Sequence, residues 1–276
     1  KLGLESLGVD VATLGNVAKL SQSFAKAVWY KEIEFRTDPA NCAKDLMDIN
    51  QHLDQPEAAR GVLQKAVSLP FYTIGVQVSW YEMLNQWDEA FEQYENRLGD
   101  ARVAPGSTEY FACTVGKLKC LLRQGRWVEM DGILAAEWAT VKGRLGDAVA
   151  GGGGGDDADP REEKRLRSLL KTLAGLGATA AWSMTKWEEF DRYVAEIPTK
   201  TYQGSFYRAV IGTKLDELPF AQMYVDRAAK VLVADIKSMA NKSYGSVYEY
   251  ICKAQQLVEL EEGIVLRCVC FGSDYG

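Results

Sequence analysis

Five cations crowd one stretch of this chain, Arg161, Lys164, Arg165, Arg167 and Lys171. Clustered guanidinium and ammonium groups are what an anion site needs, for an acidic partner or a polyphosphate. Glu162 and Glu163 dilute that charge, and the spacing wraps the cations around a helix, so a solvated helix face competes with the site reading. Arg161, Lys164, Arg165 and Lys171 are retained as a candidate anion or partner patch. Six cysteines invite a metal or disulfide reading, yet Cys42, Cys113, Cys120 and Cys252 fall one or two to a helical segment, where cysteine behaves as a small hydrophobe. Cys268-Val269-Cys270 is the one close pair, and His52, the sole histidine, is far from it in sequence, so zinc spacing is missing. Gly151 to Gly155 lacks the Gly-Lys-Ser/Thr ending and the preceding strand of a phosphate loop. No nucleophile elbow, zinc-protease helix or kinase catalytic-loop motif occurs. These residues carry no expected catalytic group, cofactor or metal.

Chemistry being thin, the elements that would position it become the subject. Leu84-Asn85-Gln86-Trp87-Asp88-Glu89-Ala90, Gln124-Gly125-Arg126-Trp127, Met184-Thr185-Lys186-Trp187 and Leu215-Asp216-Glu217-Leu218 each open a new amphipathic stretch, and Leu53-Asp54-Gln55-Pro56 is a weaker copy. The marks at 56, 87, 127, 187 and 218 are spaced by 31, 40, 60 and 31 residues. Helix–turn–helix repeats of about 34 residues give such intervals once insertions are allowed for. Trp87, Ala90, Phe91, Tyr94 and Leu98 share one helix face, as do Trp127, Met130, Leu134 and Trp138, and Trp187, Phe190, Val194 and Ile197. The fold class that follows is all-α, an α-solenoid of tetratricopeptide-like helix pairs. In such a pair the large residue at the turn fills the gap between the two helices, while each unit leaves an apolar flank for its neighbour.

Helices are expected at 14–35, 40–53, 56–68, 74–85, 87–98, 108–124, 126–147, 160–184, 187–196, 203–214, 219–240 and 243–266. Asp38 before Pro39 and Ser107 before Thr108 read as helix caps. Residues 1–13 read as a flexible N-terminal edge and 14–267 as the solenoid. A disordered Gly/Asp insertion falls at 149–159, and 268–276 reads as an irregular tail. Tyr244, Val247, Ile251, Ala254 and Val258 form an apolar stripe on the last helix. The chain opens at Lys1 without a methionine or signal peptide and looks like a piece of something longer. Its net charge of −6 argues against nucleic acid or an anionic membrane as principal partner, and no apolar run is long enough for a membrane span. Most of the seven tryptophans and thirteen tyrosines sit at stripe or turn positions, which points to core roles.

Several blocks then become recognisable together: Ala27-Val28-Trp29-Tyr30-Lys31-Glu32-Ile33-Glu34-Phe35, Gln55-Pro56-Glu57-Ala58-Ala59, Trp80-Tyr81-Glu82-Met83-Leu84, Phe206-Tyr207-Arg208-Ala209-Val210, Asp226-Arg227-Ala228-Ala229-Lys230, Ser243-Tyr244 and Leu257-Val258-Glu259-Leu260-Glu261-Glu262. In order and spacing this set resembles the N-terminal part of the FAT domain of target-of-rapamycin kinases, within the phosphatidylinositol-kinase-related family. The resemblance implies a non-catalytic segment of a large Ser/Thr protein kinase in nutrient and growth signalling, a helical clamp that supports and restrains the kinase domain. It implies as partners the kinase domain and HEAT region of the same parent chain and other subunits of the complex. The implied setting is cytoplasmic, with endomembrane association through complex partners. Trp80, Trp87, Trp127, Trp187, Phe206, Tyr207 and Tyr244 are the expected structural repeat anchors. The Gly/Asp insertion and the tail from Cys268 depart from the family pattern. A free-standing tetratricopeptide-like adaptor that grips a peptide is the alternative.

Overall fold

The computed structural model describes residues 9–68, 78–150, 160–239 and 244–271. Those residues form thirteen helices and no strand, in chain order α1 Val11–Leu20, α2 Phe24–Thr37, α3 Pro39–His52, α4 Pro56–Ser68, α5 Val78–Met83, α6 Trp87–Leu98, α7 Thr108–Gln124, α8 Trp127–Ala150, α9 Pro160–Ser183, α10 Trp187–Glu196, α11 Tyr202–Lys214, α12 Leu218–Met239 and α13 Tyr244–Phe271. Helices α1 to α4, α5 with α6, and α8 to α13 pack on their neighbours in the chain, the arrangement of an all-α solenoid. Two compact units divide the chain, residues 1–120 and 121–276.

A single backbone device repeats at six turns. Gln22, Asp54, Asn85, Gly125, Thr185 and Asp216 all adopt positive φ, between 55° and 72°. Each stands two residues before the first residue of α2, α4, α6, α8, α10 or α12. The residue after each donates its backbone N–H five residues back, as in Ser23 to Ala18 (2.9 Å), Gln86 to Tyr81 (2.9 Å) and Lys186 to Ala181 (2.8 Å). This is the Schellman arrangement, which satisfies carbonyls that a helix end would otherwise leave bare. The same residue then accepts the first hydrogen bond of the following helix, as Lys186 does from Phe190 (2.9 Å). One three-residue turn therefore both ends one helix and starts its partner.

The register continues into the core. The residue three places after each helix start is Ala27, Ala59, Ala90, Met130, Phe190 or Ala221, and every one is 0% exposed. One turn into the helix, that position points back at the preceding helix, so small residues there allow close approach and larger ones fill a wider gap. Trp87, Trp127 and Trp187 at the helix starts are only half-buried. At these three turns the large ring shields the turn, and the full burial falls three residues later. Gly177 allows a second close approach, since a Cβ there would lie 2.7 Å from Leu134 and 3.0 Å from Tyr193.

Thr185 is the strained member of the series. β-Branched residues resist the left-handed region, whereas Asn and Asp tolerate it. Replacing Thr185 by Asn is expected to stabilise the second unit by about 1 kcal/mol. A rise in the urea midpoint with unchanged slope checks this. A fall would mean that the Thr185 hydroxyl bond to the Met184 carbonyl (2.7 Å) outweighs the strain.

Several expectations are corrected. The single helix read over 14–35 is two helices broken at Ser21-Gln22-Ser23, so Val17 and Leu20 face solvent at 56% and 85% exposure. Helix α1 begins at Val11, inside the stretch read as a flexible edge, and α8 persists to Ala150. Helix α13 runs to Phe271, so Cys268 and Val269 are helical where an irregular tail was expected. The helix continues because nothing before Gly272 breaks it: no proline intervenes and the backbone bonds propagate. Residues 151–159 and 272–276 lie outside the described residues, as does the 74–77 part of the helix expected at 74–85. Ile251 and Val258 are exposed, because the inner face of α13 is carried by Leu257 and Ile264.

Caps fall where the residue types place them. Asp38 precedes Pro39 at the first helical position and accepts from the Asn41 N–H, and Ser107 Oγ accepts from the Tyr110 N–H (3.1 Å).

Candidate functional site

The second unit contains an open cleft of about 880 Å³ between α9, α11 and α13. Its floor is aromatic. Trp182 of α9 stands edge-on to Tyr207 (centroids 5.3 Å) and tilted against Phe206 (5.5 Å), and Tyr202 stacks on Phe206 (5.7 Å). Tyr202, Gln203, Phe206 and Tyr207 reach one side because spacings of one, four and five residues share a helix face. Phe190 of α10 supports this floor from below, 5.1 Å from Tyr207 and 6.2 Å from Trp182.

A hydrogen-bond net fixes the rings. Tyr207 Oη and Thr179 Oγ1 lie 2.9 Å apart, and Gln203 Nε2 reaches the Gly175 carbonyl (3.1 Å), Thr179 Oγ1 (3.3 Å) and Tyr207 Oη (3.3 Å). A Cβ on Gly175 would stand 3.2 Å from Gln203 Oε1, so glycine leaves the amide its place. Tyr202 donates to the Lys253 carbonyl of α13 (2.8 Å), and burial pushes its phenol up to about 12, so it serves as a neutral donor at every ordinary pH. On the rim, Lys253 Nζ holds Glu249 at 2.8 Å, and that hydrogen bond keeps the Glu249 carboxyl below the usual range. The cleft offers an aromatic platform with a polar edge, suited to receiving an apolar or aromatic side chain. It pairs no nucleophile with a base.

The closing of α10 is a second built feature. Arg208 donates to the carbonyls of Val194 (2.8 Å), Ile197 (2.9 Å) and Gly204 (2.9 Å), covering the helix end ahead of Pro198. Burial lowers its pKa from the ordinary arginine value.

In the first unit five charged residues form a network. Lys31 is 2% exposed and lies 2.9 Å from Glu34 and 3.4 Å from Asp45, and Lys19 lies 2.8 Å from both Asp45 and Asp48. Three helices are tied by it: α1 through Lys19, α2 through Lys31 and Glu34, α3 through Asp45 and Asp48. His52 stacks on Phe24 at its edge (4.8 Å). Burial alone would raise the Asp45 carboxyl, but the Lys19 hydrogen bond and the Lys19 and Lys31 charges override it and hold the pKa down. A depressed carboxylate contributes stability above its unfolded pKa of about 3.9, and the contribution is lost as pH falls through the lower folded value. Lys19 is raised despite its burial, through its bonds to Asp45 and Asp48, so its contribution persists to pH above about 10.4. Acid titration from pH 5 to 2 is expected to weaken the first unit, and Asp45→Asn to flatten that dependence; an unchanged acid profile in the variant would contradict it.

The predicted basic patch is only partly assembled. Lys164, Arg167 and Lys171 line a shallow hollow of about 420 Å³ with Glu163 and Ser168. Arg165 instead meets Glu162 at 3.3 Å, beside Arg144 (3.0 Å to Glu162), and Arg161 is exposed outside the hollow. Trp80, Phe206 and Tyr207 are buried, and the side chain of Tyr244 lies outside the described residues. Cys42, Cys113 and Cys120 are buried thiols, with burial raising Cys42 to about 12 and Cys120 to about 11. Cys252 is exposed, contrary to its expected core role. Among the described residues no group of three metal-ligating side chains occurs and no helix is long and apolar enough to cross a membrane.

Residues 174–269, which carry nearly the whole cleft, match the FAT domain family. The chain is 32% identical over 267 residues to the Serine/threonine-protein kinase mTor of Drosophila melanogaster, covering 96% of this chain. Residues 174–269 carry FAT-domain sequence, and the chain as a whole is similar to kinases of the target-of-rapamycin type. The chain is also 28% identical over 283 residues to the Serine/threonine-protein kinase TOR of Oryza sativa subsp. japonica, and 28% over 269 to TOR2 of Saccharomyces cerevisiae, covering 94% and 97% of it. It spans about a tenth of the length of each of these relatives. Thr179, Tyr202, Gln203 and Lys253 of the FAT segment went unnoticed in the sequence, since they come from three helices. The one visible signal was the shared face of Tyr202, Gln203, Phe206 and Tyr207.

Proposed function

We propose that this chain is a non-catalytic scaffolding segment of a target-of-rapamycin-like Ser/Thr protein kinase, a helical clamp that supports and restrains the kinase domain and mediates complex assembly in nutrient and growth signalling. Its partners in this reading are the kinase domain and HEAT region of the same parent chain and the other subunits of the complex, in the cytoplasm or at endomembranes through those subunits. The observation that carries the reading is the likeness over nearly the whole chain to one tenth of several kinases of this type. A solenoid of helix pairs supports it physically, because strain at one contact passes along neighbouring pairs and can bias a two-state cleft elsewhere.

The test is to remove residues 24–267 from the full-length kinase and supply the present chain in trans. The expected result is loss of companion subunits from the truncated kinase and altered basal phosphorylation of a peptide substrate, with the chain in trans rebinding the kinase. Retained subunits and unchanged turnover would overturn the reading.

A further inference from the structure

We propose that the cleft between α9, α11 and α13 is a docking site for a partner peptide that presents a tryptophan beside acidic residues. Its lining comes from alternate helices: Arg123 from the end of α7, Trp182 and Ser183 from α9, Gln203 and Tyr207 from α11, and Glu249 and Lys253 from α13. Helices α9 and α11 each open a pair closed by a three-residue turn, at Thr185 and Asp216, and α13 follows the second pair. The first helices of successive pairs share one surface of the stack. Further pairs add along the stack and not over that surface, which is the one such stacks use for binding.

The placement of protons selects the occupant. Thr179 Oγ1 donates to the Gly175 carbonyl (3.0 Å), Ser183 Oγ to the Thr179 carbonyl (2.9 Å) and Tyr202 Oη to the Lys253 carbonyl (2.8 Å). With the Thr179 proton so engaged, Tyr207 is the donor in its 2.9 Å bond to Thr179 Oγ1. The Gly175 carbonyl can only accept, so the Gln203 amide turns its nitrogen to it, at 3.1 Å. All the lining hydroxyls thus give their protons to the chain itself, and among the described residues nothing donates to Gln203 Oε1. The floor presents ring faces and lone pairs. A fitting side chain is flat, apolar and a donor that brings no acceptor of its own, which describes an indole. A cationic side chain, otherwise attracted by aromatic faces, is opposed at the rim. Arg123 and Lys253 outnumber Glu249 there, and Lys253 already holds Glu249 at 2.8 Å. The same excess of positive charge favours carboxylates on either side of the indole. The cleft lies wholly in the second unit, and its ligand does not depend on the kinase reading.

The test uses the intact chain and short fluorescein-labelled peptides of glycine and serine with Glu-Trp-Glu at the centre. Comparison peptides carry Ala, Phe or Arg in place of the tryptophan, or Lys in place of both glutamates. Fluorescence anisotropy is expected to show the Glu-Trp-Glu peptide binding at least about tenfold tighter than the Ala version, through the lost ring. Against the Phe version the expected ratio is about fivefold, the effect of one hydrogen bond. The Lys version is expected to bind more weakly, by a margin that shrinks as salt rises. Ser183→Trp, at an exposed rim position and with its fold checked by circular dichroism, is expected to fill the cleft and abolish binding. Gln203→Met keeps the volume and removes the acceptor, so it is expected to level the Trp and Phe peptides. The full-length parent protein is expected to give the same ranking. Equal binding of the Trp and Ala peptides, preference for the Arg version, binding that survives Ser183→Trp, or no binding of any peptide would each overturn the proposal. So would loss of binding in the full-length protein, which would mean that another part of the parent chain fills the cleft.

Discussion

Phe190→Ala is expected to destabilise the second unit by about 3–5 kcal/mol, the range for deleting a fully buried aromatic ring. Phe190 is 0% exposed and stands at the buried register position of its turn. It contacts Trp187 at 5.9 Å, Tyr207 at 5.1 Å and Trp182 at 6.2 Å, so its removal opens a cavity beneath three rings, one of which, Tyr207, is held in place by hydrogen bonds to Thr179 and Gln203. Trp187→Ala, though it deletes a larger ring, is expected to cost less than half as much. That ring is half-buried and its neighbours include the Lys214 ammonium at 4.0 Å, an exposed-type cation–π contact of about 0.5–1 kcal/mol. Urea titration followed by tryptophan fluorescence measures both. A larger loss for Trp187 than for Phe190 would mean that the helix start, not the residue three places on, anchors each pair.

Lys31→Met is expected to cost about 3 kcal/mol in the first unit, and its reversal by a second substitution is the sharper part of the expectation. Removing the ammonium strands Glu34, whose side chain is 12% exposed, without its partner at 2.9 Å. Asp45, 35% exposed, keeps Lys19 and suffers less. Adding Glu34→Leu replaces the pair by two apolar side chains, and buried pairs replaced in this way commonly come out near neutral. The double variant is therefore expected within about 1 kcal/mol of wild type. A double variant as unstable as Lys31→Met alone would mean that packing against Gly15, where the lysine chain passes within 3.2 Å of the missing Cβ position, carries the cost.

How much of this was legible depended on which residue carried the signal. Asp54, Asn85, Gly125 and Asp216 are all types that accept the left-handed region, so four turns announce themselves. Thr185 does not, and that turn was found only through Trp187. Gln22 has neither cue, and the apolar residues on either side ran together into one apparent helix. The core position at helix start plus three was hidden because Ala, Met and Phe alternate there, whereas the tryptophans at the starts are conspicuous yet lie half-exposed. Periodicity also shows that a stripe exists without saying what covers it. Ile251 and Val258 were read only as part of an apolar stripe, and it is Leu257 and Ile264 that are buried on this helix. The cleft was out of reach because Thr179, Gln203 and Lys253 meet only through the packing of three helices.

Phe190→Ala placed in the full-length kinase tests the scaffolding reading most directly, with subunit retention and the KM for ATP measured on the same preparation. The account predicts loss of companion subunits or altered restraint of turnover, with the KM for ATP unchanged, since the scaffolding reading assigns this segment no contact with nucleotide. Full retention of subunits with a raised KM for ATP would contradict it and place this segment within the catalytic machinery.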